Sequence, residues 1–169
     1  MDTHQAILTR RSIRRYTKAP VAPELVTSLL RAGMQAPSAC NQQPWQFVVI
    51  TERTTREAIA AFHPYADMLR TAPVVLLVCG DLGREHFRGY WVQDCSAATQ
   101  NILLAAHAAG LGAVWVGLYP REDLVAETRR VLGLPDQIVP LALIPLGVPA
   151  EQAAPTDRFD PSRVHRERW

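Results

Sequence analysis

A five-residue segment near the start of the chain concentrates groups that bind anions. It runs Arg10-Arg11-Ser12-Ile13-Arg14 and places three guanidinium groups and one hydroxyl close together. Guanidinium groups donate forked, charged hydrogen bonds to phosphate oxygens. A solvated basic turn would explain the arginines alone, but the small hydroxyl of Ser12 favours a phosphate site. Arg158, near the other end of the chain, is a candidate for the same anion.

A second segment, residues 36–45, carries an unusual density of hydrogen-bonding side chains. Four of them lie between two prolines, namely Ser38, Asn41, Gln42 and Gln43. A turn that only leads into a strand needs one or two such side chains. The segment is therefore predicted to form the polar rim around a planar heterocyclic ligand. Cys40 lies within it without a partner His, which argues against a nucleophilic cysteine.

Apolar periodicity and breaker residues predict helices that alternate with strands. The predicted helices cover residues 23–36, 52–62, 91–109 and 121–132, after a short first helix, and the predicted strands cover 46–51, 74–79, 112–117 and 138–146. This order indicates an α/β or α+β domain built on a mixed sheet. Pro140 and Pro145 predict that the last strand lies at an edge or carries a bulge. From Pro149 onward no regular element is predicted, so that this tail needs another surface to lie on.

Length and composition indicate one globular domain that is short for an enzyme with a large enclosed pocket. The chain has 169 residues, of which 48% are hydrophobic and 20% charged, and an oligomer would supply further pocket walls. Three widely spaced cysteines without a ligand pattern, and no apolar leader, predict a reduced cytoplasmic location. The apolar stretch 102–118 is interrupted by Gly110 and Gly112, which favours a helix end and a strand over a membrane span.

Basic residues gather at both ends of the chain, although the formal net charge is only +2. A small nucleic-acid-binding module is the rival that this pattern leaves open. Such modules usually have a larger basic excess, and their binding weakens steeply with salt. The charge pattern therefore favours one anionic small molecule over a nucleic acid.

Five motifs in order along the chain resemble those of the FMN-dependent nitroreductase family. They are residues 10–14, residues 36–45, the stretch from Gln93-Asp94 to Ala106, the stretch from Gly110 to Gly117, and the stretch from Leu146-Gly147 through Arg158 to His165. The resemblance implies an α+β, three-layer fold with a mixed central sheet flanked by helices, in an intertwined homodimer. It implies a single FMN-binding domain over residues 1–169, whose C-terminal arm, residues 149–169, wraps the partner subunit, while the helix from Trp91 forms much of the dimer core.

The same resemblance implies roles for the arginine segment. Arg10, Ser12 and Arg158 would bind the FMN phosphate and ribityl chain, and Arg11 would lie in the same strip. Arg14 would lie near the pyrimidine edge of the flavin. A cation there stabilises the negative charge of reduced flavin and raises its reduction potential.

The resemblance assigns the second segment to the other subunit. Pro37, Ser38, Ala39, Asn41 and Gln43 would line the ribityl chain and ring edge of the partner's flavin. Residues 116–118 (Val116, Gly117 and Leu118) would face the ring, with a backbone N–H near flavin N5 and Gly117 permitting close approach.

Some family members place an Asn on the flavin before the second strand, where this chain has His63-Pro64-Tyr65, and some have a Lys where this chain has Thr156. Tyr65 and Met68 are candidate walls of the substrate pocket. His107, in an Ala-rich helix, is expected to be a core or interface histidine rather than an acid or base.

The implied function is an NAD(P)H-dependent FMN oxidoreductase. NADH or NADPH would reduce the flavin and leave, and a nitroaromatic, quinone or related acceptor would then take the electrons in a ping-pong mechanism. No catalytic side chain and no metal are expected, because the cofactor carries the chemistry. The chain has no GxGxxG motif, which indicates that the nicotinamide binds transiently over the flavin. A dehalogenating, flavin-fragmenting or dehydrogenating relative, and a flavin-storage protein, remain alternatives.

Overall fold

A five-stranded sheet forms the centre of the protein. The computed structural model describes residues 1–154 and 156–169. Pro155, within the predicted C-terminal arm, lies outside the described residues. The helices are α1 (Thr3–Thr9), α2 (Pro23–Met34), α3 (Arg53–Phe62), α4 (Trp91–Ala108) and α5 (Glu122–Leu132). The strands are β1 (Trp45–Ile50), β2 (Val74–Asp81), β3 (Gly112–Ala113), β4 (Val116–Gly117) and β5 (Ile138–Gly147).

Strand β5 lies inside the sheet rather than at its edge. The order is β1-β2-β5-β3, and β4 also pairs with β5. The edge position that the two prolines predicted is therefore wrong, whereas the bulge is present: the β2–β5 register shifts where Cys79 faces Pro140. The carbonyl of Pro145 accepts a hydrogen bond from the Tyr16 hydroxyl at 3.2 Å. The Pro145 carbonyl therefore points away from β2, toward Tyr16. The N–H and C=O of one residue leave a strand on the same side, so the N–H that Pro145 lacks would point away from β2 as well.

All pairings between the five strands are antiparallel. Parallel pairing, which the expected mixed sheet requires, occurs among the described residues at an isolated bridge between Ser12 and Ala113. The predicted strand 112–117 is divided into β3 and β4, and the exposed Trp115 lies in the gap between them. Pairing breaks there because this part of the strand lies opposite Pro145, which has no N–H to donate.

Two layers of helices cover the two faces of the sheet. Leu76 and Val78 of β2 belong to the core that includes Leu29 of α2 and Ile102 of α4. Their neighbours Val75, Leu77 and Cys79 belong to the opposite core with Ile59 of α3 and Leu124 of α5. Side chains alternate between faces along a strand, so a continuously apolar β2 serves both cores. This is the predicted three-layer α+β arrangement.

The ends of the chain are exposed relative to this core. From Glu151 onward the described residues are mostly exposed, including Phe159 (76%) and Trp169 (101%). The accessible surface of 10160 Å² exceeds the value of about 8,300 Å² expected for a compact monomer of this mass.

No helix among the described residues is both long enough and apolar enough to cross a membrane.

Candidate functional site

The arginine segment is held in an extended form along the edge strand β3. The Ile13 N–H donates to the Ala113 carbonyl at 3.0 Å, and the Tyr16 hydroxyl donates to the Ile13 carbonyl at 2.6 Å. A side chain at Gly112 would place its Cβ 2.6 Å from Ile13 Cγ2, so glycine allows the two backbones to approach. These contacts give the segment one defined position on the sheet.

A carboxylate fixes the backbone of the segment at Arg14. Glu151 Oε1 accepts from the Arg14 N–H at 2.6 Å and from the Arg15 N–H at 3.2 Å. The Ala150 N–H donates to the Arg15 carbonyl at 2.8 Å, which ties the start of the C-terminal arm to the same place. The position of Arg14 therefore depends on the arm as well as on the sheet.

Three of the predicted arginines gather in one cleft beside α1. The cleft has a volume of about 510 Å³ and is lined by Arg10, Arg11 and Arg158 together with Ile7 and Phe159. Burial and the charges of Arg158 and Arg11 lower the pKa of Arg10. None of the ion pairs among the described residues involves Arg10 or Arg158. Asp157 also lines the cleft, so three guanidinium groups face one carboxylate and the site has an excess of positive charge.

Arg11 differs from its neighbours because its guanidinium group is already used. It donates to four backbone carbonyls, those of Leu8, Arg10, Ala154 and Thr156. The side chain thus joins the C-terminal arm to the end of α1. The predicted contact of Arg11 with a ligand would have to compete with these bonds. The guanidinium groups of Arg10 and Arg158, in contrast, make no hydrogen bond to other residues that the structure describes.

A second cavity, of about 250 Å³, joins the other end of the segment to β4. The predicted residues that it brings together are Arg14, Tyr65, Met68, Val116 and Gly117. His63 and Trp115 also line it, and neither was assigned a ligand contact from the sequence. Trp115 adds an exposed indole ring to the wall.

Leu118 is the predicted residue that the fold turns away from this cavity. Its side chain is 0% exposed in the core between the sheet and α5, and its N–H donates to the Leu141 carbonyl at 2.9 Å. The predicted ligand contact of Leu118 through its side chain or its N–H is therefore wrong. The reason is the alternation of a strand, which points Gly117 outward and Leu118 inward.

The second polar segment is built around a buried carboxylate on α4. Asp94, which is 4% exposed, accepts from the Ala39 N–H at 2.9 Å and from Gln42 Nε2 at 2.8 Å. The Gln42 oxygen accepts in turn from the backbone N–H of His86 at 3.1 Å. Ser38 Oγ accepts from the Gln43 N–H at 3.1 Å. Gln42 is thus a structural residue, and the hydroxyl oxygen of Ser38 already accepts one hydrogen bond within the loop.

This network holds a backbone that is otherwise unfavourable. Cys40, Asn41 and Gln43 have φ values of 46°, 55° and 47°, in the left-handed region that non-glycine residues rarely adopt. Asn41 and Gln43 are exposed, as is Pro37, while Ser38 and Ala39 are half-buried. Strained backbone of this kind persists where the surroundings determine it and is concentrated at functional sites.

The two halves of the predicted site do not meet within one chain. Ser12 pairs with Ala113, whose partner on β5 is Leu146. Trp45 pairs with Gly80, whose partner on β5 is Val139. The segment with Ser12, then β3, β5, β2 and β1 follow one another across the sheet, so four strand spacings, about 19 Å, separate Ser12 from Trp45. The stretch of β5 between Val139 and Leu146 adds about 23 Å along the strands. One small ligand could not contact both positions in the same subunit.

The histidine and cysteine that first suggest catalysis have other surroundings. His107 Nε2 lies 2.8 Å from Thr9 Oγ1 and joins α4 to α1. Burial and the charges of Arg10 and Arg11 lower the pKa of His107, so the neutral ring is favoured. Cys40 is exposed. His63 and the Gln93-Asp94 pair stand out in the sequence, but the contacts of His63, Asp94 and Glu151 were not predicted, because each holds backbone groups that only the fold brings near.

Comparison with known proteins agrees with this architecture. A family model described as the nitroreductase family matches residues 7–63 and 61–148. A protein of Methanothermobacter thermautotrophicus, provisionally named NADH dehydrogenase/NAD(P)H nitroreductase, is 50% identical over 100% of this chain and 88% of its own length.

Two solved structures superpose over nearly the whole chain. One, from Parabacteroides distasonis, carries the same provisional name and has a TM-score of 0.96 at 41% identity, covering 99% of this chain and 98% of that one. The other is described as a nitroreductase in complex with FMN from Desulfovibrio desulfuricans, with a TM-score of 0.87 at 35% identity over 100% of this chain and 98% of that one. The chain belongs to the nitroreductase family of oxidoreductases.

Proposed function

We propose that the protein is a homodimeric, FMN-dependent oxidoreductase that takes electrons from NADH or NADPH and passes them to a nitroaromatic, quinone or related acceptor. The observation that carries the proposal is the pairing of two sites on one short segment. A cleft with an excess of positive charge lies at Arg10, and a cavity with a cation and an exposed glycine backbone lies at Arg14 and Gly117. The named relatives support the cofactor and the electron donor, since one was solved with FMN and others are named for NAD(P)H.

The cationic cleft fits the phosphate end of FMN. Arg10 and Arg158 would hold the phosphate, which would relieve the repulsion between their like charges. Ser12 lies next along the extended segment, and its side chain is half-buried. Arg11 would support this end indirectly, because its bonds to Ala154 and Thr156 hold the arm that carries Arg158.

The second cavity fits the ring end of the same molecule. Four residues of extended chain span about 13 Å, so Arg10 and Arg14 can contact opposite ends of one elongated ligand. Bound FMN would supply the hydride and electron transfer. Arg14 would stabilise negative charge at the pyrimidine edge, while Val116 and Gly117 would present backbone to the ring.

A homodimer would complete each site. The 37–45 loop, too distant to reach the arginine segment of its own subunit, would line the flavin of the partner through Pro37, Ser38, Ala39, Asn41 and Gln43. The C-terminal arm is exposed in the single subunit, which contributes to the accessible surface in excess of a compact monomer. In the dimer, the arm would bury Phe159 and Trp169 against the partner. The whole chain, residues 1–169, would then act as one domain of an intertwined dimer.

The walls around the ring support a site shared by donor and acceptor in turn. Tyr65 and Trp115 are exposed at its mouth, and Met68 is half-buried beside them. Aromatic and thioether side chains stack on planar molecules without selecting one hydrogen-bonding pattern. A ping-pong order follows, in which the oxidised nicotinamide leaves before the acceptor enters.

The test begins with the visible absorption spectrum of the purified full-length protein. We expect a bound flavin, or one that binds on addition of FMN, which NADH or NADPH bleaches under anaerobic conditions and a nitroaromatic or quinone restores. Sedimentation should give twice the mass of one chain. A protein that binds no flavin would overturn the proposal. Bound flavin that neither nicotinamide reduces would instead indicate a specialised relative or a storage protein.

A further inference from the structure

His63 uses both of its ring nitrogens to join two walls of the proposed flavin cavity. Nε2 lies 2.9 Å from the Gly117 carbonyl oxygen on β4. Nδ1 lies 3.1 Å from the Tyr65 backbone nitrogen, and the two aromatic rings meet edge to face with centroids 6.5 Å apart. The side chain is only 4% exposed. It therefore connects the 63–68 turn, which carries Tyr65 and Met68, to the strand that faces the ring.

The two partners determine which nitrogen carries the proton. The Tyr65 backbone group is an N–H and can only donate, so Nδ1 must accept. The Gly117 group is a carbonyl and can only accept, so Nε2 must donate. Both bonds exist together only in the neutral ring with the proton on Nε2. A proton on Nδ1 would face the Tyr65 N–H and break the connection to the turn.

The bond to Gly117 matters because it sets the direction of a backbone donor. The Leu118 N–H points to β5, where it bonds to Leu141. Along a strand successive N–H groups point to opposite sides, so the Gly117 N–H points away from β5. The Gly117 carbonyl leaves on the same side, where His63 holds it. Glycine has no side chain to restrict its rotation, which makes an external restraint on this residue effective.

We propose that His63 is a positioning residue that aims the Gly117 N–H at the flavin ring and couples this donor to the Tyr65–Met68 wall. The proposal rests on the proposed function, because it concerns the same cavity. His63 itself does not exchange protons with substrate, since both nitrogens are occupied. Its effect is to keep the flavin-facing backbone and the acceptor-facing side chains in one arrangement.

Two substitutions separate the two bonds. In His63→Gln the amide nitrogen takes the place of Nε2 and can still donate to Gly117. In His63→Asn the amide oxygen takes the place of Nδ1 and can still accept from Tyr65, but the shorter side chain does not reach Gly117. We expect His63→Asn to shift the absorption bands of bound FMN and to slow its reduction by NADH by about 10-fold, the effect of losing one ordering hydrogen bond.

His63→Gln should retain the flavin spectrum and the reduction rate within about 3-fold, and should instead raise the KM for the acceptor, because the wall at Tyr65 is released. Ile59→Val, in the core beneath the turn, is the control that lowers stability without touching either bond. If all three variants change the spectrum and the rate in proportion to their loss of stability, His63 has only a structural role and the proposal is overturned.

A measurement on the unmodified protein does not depend on whether a variant folds. The ¹⁵N chemical shifts of His63 in the FMN-free protein at neutral pH should report an unprotonated Nδ1 and a protonated Nε2. The opposite tautomer or a charged ring would overturn the proposal even if FMN binds as expected. Failure to bind FMN would overturn the proposed function, and with it the role of His63 at the flavin, while the shifts would still test the two bonds.

Discussion

Asp94 and His107 lie near opposite ends of α4, and each anchors one half of the proposed FMN site. Asp94 holds the 37–45 loop through Ala39 and Gln42, and His107 contacts Thr9 beside the arginine segment. A helix rises about 1.5 Å per residue, which places the two anchors about 20 Å apart. A single rigid helix therefore keeps the two halves separate within a subunit, and a second subunit is needed to bring opposite halves together.

The buried carboxylate of Asp94 should be essential for the strained loop. In Asp94→Asn, one oxygen becomes an NH₂ group that faces the Ala39 N–H or the Gln42 amide. Gln42 cannot turn over to compensate, because its oxygen accepts from His86. We expect a loss of about 1–3 kcal/mol in the free energy of unfolding, measured with urea. The exposed neighbour Gln93→Ala should stay within about 0.5 kcal/mol of the unmodified protein, and an equal effect of both changes would contradict this role.

Arg10 should contribute to FMN binding and little to folding. Arg10→Ala removes a charged hydrogen bond to the phosphate, and we expect the Kd for FMN to rise about 10- to 100-fold. The same change relieves repulsion with Arg158, so the stability of the FMN-free protein should stay the same or increase slightly. Fluorescence quenching of FMN measures the first effect. Arg53→Ala, which removes an exposed ion pair with Glu57, is the control that should leave the Kd unaltered.

Glu151 should affect the flavin in two separable ways. Glu151→Ala removes the acceptor for the Arg14 and Arg15 N–H groups, and we expect the Kd for FMN to rise about 3- to 10-fold. Glu151→Gln keeps an acceptor oxygen and should retain most of the affinity. Both changes remove a negative charge near Arg14, so both should raise the midpoint potential of bound flavin in a redox titration. An unchanged potential in both would show that this charge does not act on the ring.

Buried acidic groups predict a loss of stability at alkaline pH. Burial raises the pKa of the Cys79 thiol to about 12, and it also raises the pKa of Cys95 and of Tyr16. In the unfolded chain a thiol ionises near pH 8.5, so above that pH the unfolded chain binds fewer protons than the folded one. The free energy of unfolding should then fall by up to about 1.4 kcal/mol per pH unit for each group.

Urea titrations between about pH 9 and pH 12 measure this slope. Cys79→Ala should make it shallower, because one of the buried thiols no longer ionises on unfolding. Ser28→Ala, on the exposed face of α2, removes no ionisable group and should leave the slope as it is. If the two variants have the same slope, the protonation of Cys79 does not contribute to alkaline unfolding.

The sequence predicted well where local residue chemistry is sufficient. Adjacent arginines with a serine predicted a cationic site, and the structure places Arg10 beside Arg158. The motif around Gly117 predicted a backbone wall, and Arg14, Tyr65 and Met68 line the same cavity. These residues are marked by type and spacing, because charge and the freedom of glycine are properties of single residues. Direct contact of each with FMN stays a prediction.

The sequence was weakest where a property depends on what lies across the sheet. Pro140 and Pro145 indicated an edge as readily as a bulge, since the partner strands of β5 come from distant parts of the chain. Leu118 was grouped with Gly117, although strand alternation buries it. Likewise, Gln42 looked like a ligand-binding residue until the fold paired it with Asp94.

The sequence by itself determined the family, the order of helices and strands, and the two polar segments, because these depend on short-range periodicity and on the chemistry of neighbouring side chains. Only the tertiary structure decided that the two segments lie at opposite corners of the sheet. It also decided that His63 holds the backbone of Gly117 and that Glu151 holds the backbone of Arg14. The guanidinium group of Arg11 donates hydrogen bonds to the C-terminal arm, which the sequence did not indicate. The physical reason is that a hydrogen bond to a backbone group leaves no trace in residue type. Distance across a sheet depends on strand order, which no local pattern encodes.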